Sequence, residues 1–218
     1  MLSRSSPTDK RWAGSSLPTH TIFPLPSSTV TGILVTLLQE TQLTKKKYYP
    51  FILFFTGGHT TEILRLLSCL SESYSPRHYI FADSDKMSEA KIRSFEQKRA
   101  EFTLDRIPRS REVRQSWTSS VVTTLYSILY SLPLTYKLKP DLILCNGPGT
   151  CVPVCISALL LGLLGIKRAI IVYVESICRV ETLSLSGKIL YYFSDYFIVQ
   201  WPDLKEKYPK SVYLGRIV

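Results

Sequence analysis

The chain has 218 residues, 45% of them apolar and 20% charged, with 27 Lys plus Arg against 17 Asp plus Glu for a formal net charge of +10. Two full α/β domains with a cleft between them need roughly 300 residues, which argues against a self-contained two-domain enzyme. The positive balance favours anionic partners such as phosphates, membrane surfaces or nucleic acid, without choosing among them.

In chain order, residues 1–28 hold seven Ser, three Thr and four Pro, and Asp9 is their only acid. Such a segment has too little apolar surface to offset its ordering entropy and is expected to be disordered. Its acid-poor, Ser-rich character suggests a transit peptide, but the prolines break any amphipathic helix. Residues 29–43 form a candidate short helix, Lys45-Lys46-Lys47 a basic linker, and 1–50 together a divergent N-terminal segment.

From residue 51 the pattern alternates. The apolar run 51–55 stops at Thr56-Gly57-Gly58-His59, and Ile63, Leu66, Leu67 and Leu70 then follow helical spacing, which reads as strand, glycine turn, helix. Strands are expected at 77–82, 141–145, 168–174, 195–200 and 212–214, and helices at 87–99, 151–164 and 185–192. Residues 101–107 read as a weaker strand, with residues missing around 101–105, and 112–132 as a long helix. Strands that are apolar without alternation signal a parallel sheet covered on both faces. The fold class is therefore α/β, a Rossmann-like doubly wound parallel sheet, in one domain over 51–218.

The run 152–166 falls short of the roughly 20 residues a bilayer needs and reads as a buried helix. Five cysteines, at 69, 145, 151, 155 and 178, show no C-x-x-C and no regular framework, which points to reduced thiols. Cys151 and Cys155 share a helical face but lie far from any histidine, so no metal site is expected. The single asparagine, Asn146, precedes Gly-Pro and is not a glycosylation acceptor.

In doubly wound sheets ligands bind outside the carboxyl ends of the strands. Three such ends carry candidate chemistry. Gly57 and Gly58 permit close backbone approach, and the helix that follows offers free N–H groups to an anion. Asn146-Gly147-Pro148-Gly149-Thr150 makes a second glycine turn. Two such turns on one rim suit a phosphate or diphosphate held by backbone amides, although each also has a plain turn reading. His59, at a helix start beside two glycines, is suited to act as a neutral base or donor, or else simply caps that helix. Glu175 and Ser176 end a third strand, where Glu175 is either functional or paired with Arg179. Glu62, in a first helical turn, reads as structural. A dinucleotide fingerprint fails, because its glycine positions fall on Phe55, Gly57 and Thr60, although Asp83 imitates the ribose-binding acid.

Arg106, Arg109, Arg111 and Arg114 form a basic segment suited to phosphate oxygens or anionic lipid heads, or simply a solvated loop. The helix after it has two apolar stripes. Val113, Trp117, Val121, Leu125 and Leu132 form one; Val122, Tyr126 and Tyr130 form the other. The expectation is that one faces the sheet and the other a membrane or partner, with Lys137 and Lys139 close by.

Gly57-Gly58-His59-Thr60-Thr61-Glu62-Ile63-Leu64, Asn146-Gly147-Pro148-Gly149-Thr150, Val172-Tyr173-Val174-Glu175-Ser176 and Lys205-Glu206-Lys207-Tyr208-Pro209-Lys210 together closely resemble one family. It is the membrane-anchoring, acceptor-side subunit of the UDP-N-acetylglucosamine transferase of the dolichol-linked oligosaccharide pathway. The likeness runs from about residue 51 to the C-terminus, and extends more distantly to a bacterial single-chain transferase of cell-wall synthesis. It implies the N-terminal, acceptor-side half of a GT-B glycosyltransferase, a separate catalytic subunit that binds UDP-GlcNAc, a dolichol-diphosphate-linked acceptor and a membrane surface, with no cofactor, metal or nucleic acid. The implied reaction adds the second GlcNAc to GlcNAc-diphosphate-dolichol, with inversion, in protein N-glycosylation. The implied location is the cytosolic face of the endoplasmic reticulum membrane or the nuclear envelope. By the same resemblance His59 and Glu175 are candidate catalytic residues. Gly57, Gly58, Asn146, Gly147, Gly149 and Thr150 are candidates for the acceptor diphosphate, and Trp201, Tyr208, Tyr213 and Val218 for the partner. The alternative is a membrane-recruiting scaffold without an acceptor site. The sequence departs from the family where a Ser/Pro-rich start replaces the usual hydrophobic anchor, and where Phe55 replaces a glycine.

Overall fold

The computed structural model describes residues 51–54, 59–68, 75–97, 102–112, 115–147 and 149–217. The expectations for segment 1–50, Gly57, Gly58 and Val218 lie outside the described residues. The elements run β1 (Phe51–Phe54), α1 (Thr60–Ser68), β2 (Arg77–Ala82), α2 (Lys86–Glu96), β3 (Phe102–Ile107), α3 (Trp117–Leu138), β4 (Leu142–Asn146), α4 (Cys151–Leu163), β5 (Ile170–Val174), α5 (Leu185–Phe193), β6 (Tyr196–Val199), α6 (Pro202–Lys207) and β7 (Val212–Tyr213).

The strands pair in the order β3-β2-β1-β4-β5-β6-β7, every pair parallel. This is the doubly wound sheet expected from the sequence, with its switch point between β1 and β4. The central strands are apolar on both faces because both are covered. In β4, Ile143 and Cys145 join the core under α4 and α5, whereas Leu142 and Leu144 join the core under α1 and α2. In β5, Ile171 and Tyr173 divide from Val172 and Val174 in the same way.

The expected weak strand at 101–107 is regular, with all six residues of β3 in register with β2. Its mixed composition reflects its place: it is an edge strand, and exposed Thr103 and Arg106 discourage a further strand from pairing. The C-terminal helix α6 was not anticipated, because six residues starting at Pro202 are too short to show a helical period. One buried ion pair fixes α2 on the sheet: Arg77 Nη1 of β2 lies 3.1 Å from Glu96 Oε1 of α2, and Tyr79 donates to the same oxygen.

Helix α3 corrects the stripe expectation. It begins later than expected, at Ser116, whose hydroxyl accepts from Ser119 N. It also runs on past Pro133 to Lys139, which closes it in the left-handed region at φ 45°. Among the described residues the two stripes turn mostly outward: Trp117, Val121, Leu125, Val122, Tyr126 and Tyr130 are exposed, as is Leu129 at 68%, and only Leu132 is half-buried. The buried face is Ser120, Ser127, Ser131 and Thr135. Three of these hydroxyls fold back on the carbonyl four residues earlier, Ser120 on Ser116, Ser131 on Ser127 and Thr135 on Ser131, at 2.7–2.8 Å. Self-satisfied small side chains let α3 lie close on α4 without a buried orphan. Ser127 Oγ instead donates to Pro108 O at 2.9 Å, tying the loop after β3 to the helix.

Removing Glu96 leaves the Arg77 guanidinium charged and buried without its carboxylate, a change that ordinarily costs about 3–5 kcal/mol. Glu96→Ala should therefore lower the urea midpoint steeply, with Glu96→Gln falling between it and the unaltered chain.

Candidate functional site

The carboxyl ends of β4 and β5 and the start of α1 converge at the switch point. Three segments distant in sequence meet there on one carboxylate, that of Glu62. Its Oε2 accepts from Asn146 Nδ2 at 3.0 Å and lies 3.4 Å from His59 Nδ1, while its Oε1 accepts from Ser176 Oγ at 3.2 Å. Partial burial pushes the Glu62 carboxyl up. The hydrogen bonds from His59, Asn146 and Ser176, with the charge of His59, outweigh that and hold it below the ordinary carboxylate range. Glu62 is thus a hub and not only a partner of the helix dipole. The signal for this in the sequence is spacing: position three after His59 puts both side chains on one side of the first turn.

The imidazole of His59 lies directly over Gly147. A β-carbon at Gly147 would stand 2.7 Å from the ring, and its φ of +82° is the left-handed region that disfavours other residues. Tyr173 fixes the same turn from beneath, donating its hydroxyl to Gly147 O at 2.9 Å. Asn146 is fully buried, and its Oδ1 has no hydrogen-bond partner among the described residues. Gly149 is half-buried, 3.8 Å from Ser110 Oγ measured from the position of an added β-carbon. Thr150 is buried at the start of α4, and its side chain makes no capping bond.

Glu175 is fully buried behind this rim rather than on it. Its Oε2 accepts from the backbone and hydroxyl of Ser184 at 3.0 and 3.1 Å, and its Oε1 from Ser176 N at 3.1 Å. Arg179, the alternative partner, acts on Glu175 through its charge, while the direct bonds come from Ser184 and Ser176. Burial pushes the Glu175 carboxyl up, and the donors from Ser184 and Ser176 counter it only in part. Gly187 is obligatory beneath it, because a β-carbon there would approach Glu175 Oε2 to 2.2 Å. Glu175 thus shapes the loop between β5 and α5.

The basic segment is largely spent within the fold. Arg106 pairs with Glu89 and stands 3.7 Å from Asp83, and Arg109 stands 3.8 Å from Glu112. Arg111 lies over the Trp117 ring at 4.4 Å. At the other end of the chain, Trp201 donates to Ile177 O at 2.7 Å and carries Arg216 at 4.2 Å from its ring. Tyr208 packs edge-on against Tyr191, and Tyr213 lies at the margin of the core. All three are half-buried. Cys145, Cys151 and Cys155 are buried thiols beneath the rim, in no disulfide, with Cys145 Sγ 3.3 Å from Cys155 Sγ. No group of residues suited to a metal ion occurs among the described residues.

A doubly wound parallel sheet whose glycine turn, histidine and carboxylate meet at the switch point defines a Rossmann-like domain, the class in which ligands bind at that point. Among solved structures, MurG of Acinetobacter baumannii superposes with a TM-score of 0.53 at 14% identity, covering 71% of this chain and 42% of MurG. A UDP-N-acetylglucosamine 2-epimerase gives 0.51 at 15%, over 74% and 42%. The chain thus spans less than half of either neighbour, and at these identities the likeness concerns the fold alone. The family described as "Oligosaccharide biosynthesis protein Alg14 like" matches residues 50–217, and the chain belongs to it. Proteins named UDP-N-acetylglucosamine transferase subunit ALG14 are 72% identical over 172 residues in Rattus norvegicus, covering 75% of this chain and 80% of that one. One in Schizosaccharomyces pombe is 41% identical over 195 residues, covering 84% and 92%.

Because the folded chain holds Glu62 below its unfolded value, the cluster adds stability above the ordinary carboxylate range. That stability is lost as the pH falls through the lowered value. Glu62→Gln should flatten this acid limb. Urea melts of both chains across the acid range, compared by difference, measure the effect.

Proposed function

We propose that this chain is the acceptor-binding subunit of a UDP-GlcNAc transferase split over two polypeptides. It holds GlcNAc-diphosphate-dolichol and recruits the catalytic subunit that binds UDP-GlcNAc, so that the second GlcNAc is added. The observation that carries the reading is the convergence of His59, Glu62, Asn146 and Gly147 at the switch point. Membership of the Alg14 family and the name carried by its relatives support it.

In this mechanism the amides of the turn at Gly147 and Gly149, with Thr150 at the start of α4, receive the acceptor diphosphate. Gly57 and Gly58 complete the cradle. The acceptor sugar's free hydroxyl attacks the anomeric carbon of UDP-GlcNAc from the side opposite UDP. The new C–O bond forms as the bond to UDP breaks, with inversion, and UDP leaves. His59 takes the hydroxyl proton on Nε2, and Glu62 orients the ring through Nδ1 and stabilises the imidazolium. Glu175 acts as a positioning residue through Ser184 and Ser176. The partner docks on the surface around Trp201, Tyr208, Tyr213 and Val218.

The exposed apolar face of α3 supports a membrane role. Large side chains turned outward and hydroxyls turned inward reverse the usual pattern of a helix facing water. In this reading the exposed face of α3 rests on the bilayer surface; among the described residues no helix is long and apolar enough to cross a membrane. The surface is the cytosolic face of the endoplasmic reticulum or nuclear envelope.

His59→Ala and Gly147→Ala, each co-expressed with the catalytic subunit, should lower kcat for GlcNAc transfer to the lipid-linked acceptor by about 10²–10⁴-fold while the two subunits still co-purify. Full activity in both variants would instead favour the scaffold reading. For the membrane face, Leu129→Glu with Tyr130→Glu should weaken flotation on vesicles containing acidic lipid roughly tenfold or more, given the apolar area withdrawn. Unchanged flotation would remove α3 from the contact.

A further inference from the structure

A groove of about 320 Å³ opens between the N-terminal half of α3, the start of α4 and the outer side of α5. Val152 forms its floor, and Val121, Leu125, Leu185 and Ile189 its apolar walls. It falls in the size range of small-molecule sites. Its lining is of two chemistries. It meets Gly149 of the glycine turn, with Ser110 Oγ and Ser186 Oγ at 3.8 and 3.9 Å from the position of an added β-carbon. Ser110 is 2% exposed, and its hydroxyl has no hydrogen-bond partner among the described residues, so a buried donor waits there for an acceptor. Arg111, above Trp117, adds a cation. Val121 and Leu125 belong both to the groove and to the exposed face of α3, so the groove is continuous with that face.

We infer that this groove receives the first prenyl units of the lipid-linked acceptor. The inference rests on the acceptor reading above and adds the part of the substrate that the glycine turn does not touch. An occupant must be apolar along its length, branched enough to fill walls of Val, Leu and Ile, and anionic where it meets Gly149, Ser110 and Arg111. A prenyl chain carrying a diphosphate meets all three conditions. The volume holds only the head of a long chain, and the remainder passes over Val121 and Leu125 into the bilayer that α3 faces. The lipid carrier thus contributes binding energy next to the reacting sugar and fixes how far the diphosphate rises above the membrane.

The test titrates the full chain with farnesyl diphosphate, farnesol and inorganic diphosphate, following the emission of Trp117, which lines the groove. A Trp117→Phe chain serves as the blank. Farnesyl diphosphate should shift Trp117 to the blue and bind about tenfold or more tightly than inorganic diphosphate, as burial of a few apolar groups requires. Leu185→Gln and Ile189→Gln, at partly exposed positions where folding is safe, should remove most of that advantage and leave inorganic diphosphate unaffected. Leu129→Gln, on the outward face of α3 beyond the groove, should change neither. Equal binding of farnesyl and inorganic diphosphate overturns the groove assignment and spares the diphosphate site. Farnesol bound as tightly as farnesyl diphosphate, with no binding of inorganic diphosphate, supports the groove and refutes the diphosphate reading beside it.

Discussion

One half-buried carboxylate ties the functional end of this fold together. Glu62 receives hydrogen bonds from the ends of β4 and β5 and from the first turn of α1, three segments separated by as many as 114 residues. Each of those ends is a strand-to-helix turn that would otherwise be free to drift. Bonding to a charged acceptor in a partly dry site is stronger than bonding between neutral groups, so the rim is drawn into one geometry. The closeness of His59 to Gly147 follows from it: with Asn146 and His59 held by the same oxygen atom, only a residue without a β-carbon fits beneath the ring. Behind the rim, Glu175 does for the loop between β5 and α5 what Glu62 does for the rim, and its cost of burial is offset by three donors. A single acidic group in each layer organises the backbone in a chain that is otherwise strongly basic.

The two sides of the sheet serve different purposes. Helices α1 and α2 pack conventionally, with Ile63, Leu66, Leu67 and Ile92 buried and their charges outward. Helix α3 does the reverse. Its inward serines and threonines satisfy themselves on the helix backbone, which frees its large side chains for the outside. In water that arrangement forgoes the burial that normally holds a surface helix in place. It is consistent with a molecule whose stability on this side is completed by an apolar neighbour. The groove beside α3 joins Gly149 of the glycine turn to the exposed apolar face of that helix.

Most of the architecture was legible in the sequence because the physics is local. Apolar strands without alternation predict burial on both faces, and Tyr173, Ile171 and Val172 obey that. Asn146-Gly147 marks a strand-to-helix turn by composition alone. Two features were not legible. The hub role of Glu62 depends on Asn146 and Ser176, which tertiary structure brings within 3.2 Å and no spacing rule announces. The orientation of α3 is the other, because periodicity shows that a helix has two kinds of face but not which one turns inward. The serines at 120, 127 and 131 and Thr135 carried that information, since small residues at near four-residue spacing permit close helix packing. Glu175 is buried next to the rim, and its bonds to Ser176 and Ser184 are likewise ones that no spacing rule announces.

The central claim is that His59 and Glu62 act as one unit on the acceptor hydroxyl. A double-mutant cycle of His59→Ala and Glu62→Gln, read as kcat/KM for GlcNAc transfer by the intact two-subunit complex, addresses it most directly. If the pair acts together, Glu62→Gln costs much in the presence of His59 and little once His59 is gone. Equal costs in both backgrounds would contradict the account and leave Glu62 as a structural tie alone.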